Sequence, residues 1–319
     1  MENQPISDSN LILVDWLTFT TKIYSQDSIV AMLGLDGVDW ELCQYGRYGY
    51  QKRMVFQGVN VMWAGQADAD GNDLMGVCVE ISGQGCRTLE TFANMIWLEL
   101  FKVLLDPVNE FSITRLDLAF DDHTGILDKL QLKIDTDEGL YRSRFRSWEI
   151  RYGSNGFSIY HGSKKSLVMI RIYDKAAERG ILDGTHWIRV EIQLRDDNAS
   201  GAVSSYLQLE DLGAVYSGIL ANYLSYIVED PDDSNKGRWP IAEYWQELLN
   251  GAAAIHIAAT PGTEYNIFRL ERFLRDTAGG GLDTWIKIFG IDSLPELLKK
   301  RTSRMQPKHR MLLQQYGKL

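Results

Sequence analysis

The sequence predicts an α+β protein, a large antiparallel β-sheet with helices packed on one face, followed by a mainly helical C-terminal region. Segments between residues 11 and 196 alternate apolar and polar side chains with the two-residue period of strands. Beyond Asp196 the apolar residues recur at helical spacing. We therefore expect one domain over residues 11–200 and a second, mainly helical region over residues 201–319.

The first predicted strand, Leu11–Thr21, is rich in β-branched and aromatic residues and contains one charge, Asp15. A carboxylate in a buried strand needs a partner, so Asp15 should have one. The next predicted elements are a short helix over 27–35 and strands over 52–57, 59–64 and 76–82. Glu80 lies on the polar face of the last of these strands.

A glycine-containing segment, Gly83–Arg87, separates that strand from an amphipathic helix over 88–105, which Asp106 and Pro107 end. Such a segment can hold a phosphate on the amides of a helix N-terminus. Two glycines alone are a weak signal, and the sequence favours a tight turn.

The predicted strand Phe111–Asp122 places Arg115, Asp117 and Asp121 on one face. Two carboxylates four residues apart on a strand lie roughly 13 Å apart, too far to share one ion. Asp117 is the better candidate for a metal ligand, and Asp121 is expected nearer the rim.

The stretch Ser166–Lys175 is predicted to be a strand with Arg171, Tyr173 and Lys175 on its polar face. A free phenol has a pKa of about 10, so a nucleophilic tyrosine needs nearby positive charge or a metal. On this stretch alone, a half-buried strand with a solvated polar face is the simpler interpretation.

Further elements are predicted on both sides of this stretch. A strand followed by a turn with phosphate-binding groups covers 157–166 and includes Lys164 and Lys165. A strand over 187–195 has Arg189 and Glu191 on its polar face. Helical segments are predicted over 126–134, 203–229, 240–249 and 263–275, with two short helices after them.

Composition indicates a soluble cytoplasmic protein. The chain has 45% hydrophobic residues and three cysteines without a CxxC motif, which favours a reducing compartment. We see no signal peptide and no apolar run long enough to span a membrane.

The net charge of −10 argues against a protein that coats nucleic acid indiscriminately. Positive charge is concentrated in two stretches, however. Residues 139–175 contain eight Lys or Arg and two acids, and residues 296–319 contain seven Lys or Arg and one acid. These stretches favour local contacts with phosphate.

Four predicted strands thus combine a core face with a charged face that bears carboxylates, cations and a tyrosine. If the strands are neighbours, this composition suits metal-assisted phosphoryl transfer, in which carboxylates hold a divalent ion and a phenolate attacks phosphorus. Two alternatives remain open. One is a palm-like nucleotidyl transferase with a structural Tyr173, and the other is a non-catalytic single-stranded nucleic-acid binder that stacks bases on Tyr45, Tyr48, Tyr50 and Trp63.

Five motifs in order resemble those of the rolling-circle replication initiation factor family, which includes plasmid and phage initiators and relaxases of integrative conjugative elements. The motifs are VDWLTFT at 14–20, TRLDLAFDD at 114–122, YHGSKKS at 160–166, RIYDK at 171–175 and RVE at 189–191. The resemblance implies an enzyme that nicks one DNA strand at an origin and stays joined to the 5′ end through a phosphotyrosine. Replication initiator and conjugative relaxase share this chemistry, so the motifs do not separate them.

The resemblance also implies roles for individual residues. Tyr173 would be the nucleophile, assisted by Arg171, Lys175 and Arg115, and the cofactor would be Mg²⁺ or Mn²⁺. The expected metal ligands are Asp117 and Glu191, then Asp121 and Glu80, and the expected DNA contacts are Lys164, Lys165 and Arg189. DNA is the expected partner, with a helicase and a second copy of the chain as further candidates, and the region after 200 as a DNA-binding or oligomerisation segment.

Overall fold

The computed structural model describes residues 9–68, 73–153, 156–181, 183–254 and 279–299. Ten strands in these ranges form one sheet, in which every neighbouring pair is antiparallel. In chain order they are β1 (Leu11–Thr21), β2 (Glu41–Cys43), β3 (Lys52–Phe56), β4 (Val59–Trp63), β5 (Val77–Ile81), β6 (Phe111–Asp122), β8 (Trp148–Gly153), β9 (Gly156–His161), β10 (Val168–Asp174) and β11 (Ile188–Arg195). Two short strands, β7 (Tyr141–Ser143) and β12 (Leu224–Tyr226), pair separately.

The spatial order of the sheet is β2-β3-β4-β5-β1-β6-β11-β10-β9-β8. The charged strands of the sequence are therefore direct neighbours, with β11 between β6 and β10. The N-terminal strand β1 lies beside β6 on the other side. This order aligns the polar faces of β1, β6, β11 and β10 on one surface of the sheet.

Helices in the described residues are α1 (Gln26–Met32), α2 (Gly83–Thr91), α3 (Trp97–Leu105), α4 (Lys129–Asp137), α5 (Lys175–Glu178), α6 (Asp197–Leu209), α7 (Leu212–Tyr223), α8 (Glu243–Ala254), α9 (Gly279–Phe289) and α10 (Leu294–Lys299). The core forms between the apolar strand face and residues of α3, α6, α7 and α8. In α7, the ring of Tyr216 lies 6.3 Å from that of Phe120, and its hydroxyl donates to the Val190 carbonyl at 2.9 Å. The predicted fold class is confirmed.

The predicted helix over 88–105 is wrong in its extent, because two helices, α2 and α3, replace it. Asn94 between them adopts a left-handed backbone with φ of 49°, which ends the helical path. The predicted tight turn at Gly83–Arg87 is also wrong, since these residues form the first turns of α2. The hydroxyl of Ser82 caps this helix by accepting from the Gly85 amide.

Other helix boundaries differ for similar local reasons. The helix predicted over 126–134 begins at Lys129, because Asp128 accepts from the Gln131 amide as the N-cap. The long helix predicted over 203–229 is divided into α6 and α7 where Glu210 has a φ of 51°. Asp211 then caps α7 by accepting from the Ala214 amide.

Backbone contacts divide the chain into two compact units, residues 1–258 and 259–319. In the first unit, α6 packs against β6 and β11, and Tyr216 of α7 contacts Phe120 and Val190, although the sequence assigns both helices to the region after 200. The division at residue 200 into a nicking domain and a C-terminal DNA-binding or oligomerisation region stays a prediction. The helix predicted over 263–275 and most of the basic stretch after Glu296 lie outside the described residues. None of the helices in the described part of the chain is long and apolar enough to cross a membrane.

His161 makes stability depend on pH. It is fully buried, and burial lowers its pKa to about 4. An unfolded histidine titrates near 6.5, so the unfolded chain binds more protons below that pH and stability is lost as pH falls. We expect this residue to cost about 2 kcal/mol of unfolding free energy between pH 6.5 and 5, measured by urea denaturation.

His161→Gln is the matched variant, because an amide can still bond to the Tyr226 hydroxyl that lies 3.3 Å from the imidazole Nε2 but does not titrate. Its stability should be flatter over this pH range. An equal loss in both proteins would contradict the assignment.

Candidate active site

The register of three adjacent strands brings the predicted polar residues together. Arg171 of β10 lies opposite Glu191 of β11, and Tyr173 lies opposite Arg189. On the far side of β11, Arg189 lies opposite Asp121 of β6. The alternation seen in the sequence therefore corresponds to one continuous surface.

Tyr173 lies at the centre of this surface and is only 2% exposed. Its hydroxyl donates to Glu191 Oε2 at 3.2 Å and accepts from Lys175 Nζ at 3.3 Å. The Arg171 guanidinium lies over the phenol ring, 3.7 Å from its centroid. Burial, with a further contribution from Glu191, raises the pKa of Tyr173 well above its usual range, so the phenol is protonated in this state.

Lys175 reaches Tyr173 from α5, because β10 ends at Asp174. Its ammonium also pairs with Glu178, one helical turn further on. Burial and the nearby charge of Arg189 lower the pKa of Lys175. Asp174 points the other way, where it caps α5 by accepting from the Ala177 amide at 2.9 Å and pairs with Lys129 at 2.7 Å.

A cavity of about 400 Å³ lies next to Tyr173. It is lined by Asp15, Trp16, Gly83, Gln84, Arg115, Asp117, Arg171, Tyr173, Lys175, Glu178, Arg179 and Glu191. Six of the residues predicted from the sequence are therefore in one place: Tyr173, Lys175, Arg171, Arg115, Asp117 and Glu191.

Asp117 and Glu191 are buried carboxylates on neighbouring strands. Burial raises the pKa of Asp117 to about 7, the charge of Glu191 adds to this, and hydrogen bonds from Arg115 oppose it. The Arg115 Nε donates to Asp117 at 2.9 Å, and its guanidinium lies over the Trp16 ring at 4.2 Å. Burial and then the charge of Asp15 raise the pKa of Glu191. Burial thus disfavours the charged form of both carboxyl groups, and a cation bound between them would favour it.

Asp15 is a site residue that the sequence prediction missed. The pairing of β1 with β6 shifts register between Val14 and Trp16, which is a β-bulge. Asp15 and Trp16 both line the cavity, whereas regular alternation would place them on opposite faces. The signal was the isolated charge within an apolar strand, which was expected to have a partner. In the structure that partner is Arg189, whose Nη1 lies 2.7 Å from Asp15 Oδ1.

Asp121 and Arg189 lie beside the cavity and do not line it. Two hydrogen bonds of 2.6 and 2.7 Å join the Arg189 guanidinium to the Asp121 carboxylate. The charge of Arg189 overcomes burial and lowers the pKa of Asp121. The expected rim position of Asp121 is therefore wrong, because the residue is buried. Because Asp121 is paired with Arg189, it is a poor candidate for a metal ligand. Because Arg189 is buried, it is a poor candidate for a DNA contact.

Glu80 lies two strands away from Asp117, on β5. It is buried and accepts a hydrogen bond from the Tyr48 hydroxyl at 2.8 Å, with Arg47 at 3.5 Å. It does not line the cavity. By contrast, Lys164 and Lys165 are exposed in the turn between β9 and β10, as a DNA contact requires.

The N-terminus of α2 closes another side of the cavity with Gly83 and Gln84. A Cβ atom at Gly83 would lie 2.7 Å from Asp15 Oδ1, so a larger residue there would displace this carboxylate from its position. Arg87, in the same helix, donates to the Val14 carbonyl at 2.6 Å. Helix α2 thus supports the bulge that directs Asp15 into the cavity.

Two family models match this chain over the strands that form the cavity, and one solved structure has a similar fold. The family model described as replication initiation factor matches residues 111–299, and the model described as rolling circle replication initiation protein N-terminal domain matches residues 11–103. The solved structure of a rolling circle replication initiator protein from Geobacillus stearothermophilus has a TM-score of 0.70 and 30% sequence identity, and the match covers 79% of this chain and 99% of that one.

Two similar curated proteins are a candidate DNA relaxase, NicK, from Bacillus subtilis (strain 168) and a replication initiation protein from Staphylococcus aureus. The first is 25% identical over 281 residues, which cover 83% of this chain and 78% of the relative. The second is 33% identical over 114 residues, which cover 34% of this chain and 33% of the relative. The family resemblance in the five sequence motifs is confirmed, and the chain belongs to the replication initiation factor family of rolling-circle replication.

Proposed function

We propose that this chain is a DNA strand transferase that nicks one strand at an origin, with Tyr173 as the nucleophile, to start rolling-circle replication. The observation that carries the proposal is the position of Tyr173 at the cavity, bonded to a carboxylate and a lysine and covered by an arginine. Membership in the replication initiation factor family supports the same chemistry.

In the proposed reaction, the Tyr173 oxygen attacks the phosphorus of a phosphodiester. The new bond joins the tyrosine to the 5′ phosphate, and the bond from phosphorus to the 3′ oxygen breaks. The phenol proton passes to Glu191, which already accepts its hydrogen bond at 3.2 Å. Glu191 is suited to this role because burial raises its pKa. The departing 3′ oxygen takes a proton and becomes the free hydroxyl.

The cations are assigned to the phosphate. Arg171 has one ion pair in the described part of the chain, to Glu178 at 3.7 Å, and its buried Nε has no hydrogen-bond partner there. A phosphate oxygen would satisfy this donor. Lys175 and Arg115 add positive charge on two other sides, which stabilises the charge that develops on the transferred phosphate.

The carboxylates are suited by chemistry to a divalent ion. Oxygen donors are the ligands that Mg²⁺ and Mn²⁺ prefer, and Asp117, Glu191 and Asp15 all line the cavity. Glu191 would hold the ion through Oε1, because Oε2 accepts from the Tyr173 hydroxyl. Across the described ranges, no three Asp, Glu, His or Cys side chains are grouped closely enough to hold a metal as they lie. Asp117 and Asp15 are each held by an arginine, so binding requires side-chain rearrangement. When bound, the ion would neutralise charge on the phosphate.

A conjugative relaxase is the second function that a specific observation favours. The similarity to the NicK relaxase covers 83% of this chain, about as much as the similarity to the Geobacillus initiator, at 79%. Both proposals use the same nicking step on DNA. A helicase and a second copy of this chain remain predicted partners.

The palm-like alternative receives less support. It needs two carboxylates that are free to hold metals, and Asp121, four residues from Asp117, is bonded to Arg189. The alternative with stacked bases is weakened at Tyr50, which is buried, but not at Tyr45 and Tyr48, which are exposed.

The Tyr173→Phe variant tests the nucleophile. We expect it to lose nicking of a supercoiled plasmid that carries the protein's origin by on the order of 10³-fold or more, because the attacking oxygen is gone. The covalent protein–DNA adduct should be absent on a denaturing gel. Tyr152→Phe, an exposed position on β8, is the matched control and should form the adduct normally. Adduct formation by Tyr173→Phe would refute the proposal.

Asp117→Asn tests the metal site. Mn²⁺ binding, measured by titration calorimetry, should weaken by about ten-fold or more because a charged oxygen ligand is lost. Glu80→Gln is the matched control, since it removes a buried carboxylate from the same sheet but outside the cavity. Equal weakening in both variants, or none in Asp117→Asn, would show that Asp117 is not a ligand.

A further inference from the structure

A row of alternating cationic and aromatic side chains runs from Tyr173 to the edge of the sheet. The Arg171 guanidinium lies 3.7 Å from the Tyr173 ring centroid and 5.6 Å from that of Tyr160 on β9. On β8, the Arg151 guanidinium lies 4.9 Å from the centroid of the same Tyr160 ring. We call these residues, Tyr173, Arg171, Tyr160 and Arg151, the cation–aromatic ladder.

Exposure increases along the ladder. The side chain of Tyr173 is 2% exposed, that of Arg171 is 25% exposed, and that of Arg151 on the edge strand is 51% exposed. Tyr160 between the two arginines is half-buried. The ladder therefore begins at the cavity and ends in solvent, as a path for a long substrate must.

The charges around the ladder favour a polyanion. The stretch 139–175, which contains all four residues, has eight Lys or Arg against two acids. The exposed turn with Lys164 and Lys165 follows β9 directly after Tyr160 and His161. Two acids pair with the ladder and oppose this field. Glu149 on β8 holds Arg151 through two hydrogen bonds of 2.8 and 2.7 Å, and Glu178 lies 3.7 Å from Arg171.

The ladder also has an unused donor at its inner end. The Nε of Arg171 is buried and has no hydrogen-bond partner in the described residues. A guanidinium placed between two aromatic rings, with a free donor, can bond a phosphate while a base stacks nearby.

We propose that the cation–aromatic ladder binds the single-stranded DNA that extends from the scissile phosphate. This inference rests on the proposed nicking function and names the surface that carries the neighbouring nucleotides. Tyr160 stacks on a base, and Arg171 and Arg151 contact phosphates on either side of it. A single strand fits this surface better than a duplex, because the bases of a duplex already stack on each other and do not offer their faces.

The dimensions fit a short segment. Neighbouring strands are about 4.8 Å apart, so the path from β10 to β8 is about 10 Å long. Nucleotides spaced at about 3.4 Å or more along the strand would place two to three of them there. Stacking and phosphate contacts are indifferent to base identity, so this segment contributes affinity without sequence preference.

The test measures binding of a fluorescein-labelled oligo(dT) by the full-length protein in EDTA, using anisotropy. Tyr160→Ala should bind about 5- to 150-fold more weakly, since stacking contributes about 1–3 kcal/mol per base. Tyr160→Phe, which keeps the ring, should stay within about two-fold of wild type. Arg151→Gln should reduce the slope of log affinity against log salt by about 0.7.

The Glu149→Gln variant should change the affinity for oligo(dT) in the opposite direction. It releases Arg151 from its ion pair and removes a charge that repels phosphate, so the affinity for oligo(dT) should rise by about two- to five-fold. Tyr152→Ala is the matched control for Tyr160→Ala. Tyr152 is an exposed tyrosine on β8 whose ring packs towards Phe157 at 5.8 Å, on the face opposite to Arg151.

Several outcomes would overturn the ladder. The first is that Tyr160→Ala binds oligo(dT) with wild-type affinity, and the second is that Tyr152→Ala or Tyr160→Phe loses as much affinity as Tyr160→Ala. The third is that Tyr160→Ala loses the same affinity for a labelled duplex as for the single strand. Arg151→Gln and Glu149→Gln change exposed residues, so they remain informative if Tyr160→Ala fails to fold. Because binding in EDTA needs no cleavage, failure of the nicking proposal would appear in the Tyr173→Phe assay and not in this one.

Discussion

The site depends on one buried guanidinium. Arg189 is 4% exposed and bonds Asp121 through two hydrogen bonds and Asp15 through a third contact at 2.7 Å. These partners belong to β6 and β1, so a single side chain on β11 joins three strands beneath the cavity. A buried charge that loses its partner costs about 3–5 kcal/mol, which makes the three positions interdependent. Tyr173, directly opposite Arg189 in register, is held on the same frame.

Local alternation was enough to predict the faces of β6, β10 and β11, because the period of a strand is two and each core face is apolar. It therefore placed Tyr173, Arg171, Asp117 and Glu191 each on the polar face of its own strand, and the strand order brings these faces to one cavity. Alternation does not determine which strands are neighbours. The order of the strands decides which carboxylates lie beside an arginine. Asp121 was consequently expected as a metal ligand, although strand order places it against Arg189.

The missing residue, Asp15, illustrates a second limit of pattern-based prediction. A bulge shifts the register by one residue, and the arginine that supports it, Arg87, is 73 positions away in sequence. The division of the predicted helix at Asn94 is similar, since a single left-handed residue changes the chain direction while the apolar period continues. Such features depend on tertiary contacts or on one backbone angle, and neither changes the hydrophobic pattern.

The electrostatics of Tyr173 differ from what its neighbours suggest. Two cations lie beside the phenol, yet burial and Glu191 have the larger effect and keep the hydroxyl protonated. In the proposed reaction, the resting protein therefore holds the attacking group in its protonated, unreactive form.

Asp174 faces away from the cavity, yet its contact with helix α5 affects residues that line the cavity. By capping α5 it fixes the point at which the extended backbone of Tyr173 becomes the helix that starts at Lys175. The same short helix supplies Glu178, the acid that pairs with both Lys175 and Arg171. In the proposed reaction, a change at this outward-facing aspartate would therefore act on Tyr173 indirectly, through the positions of Lys175 and Glu178.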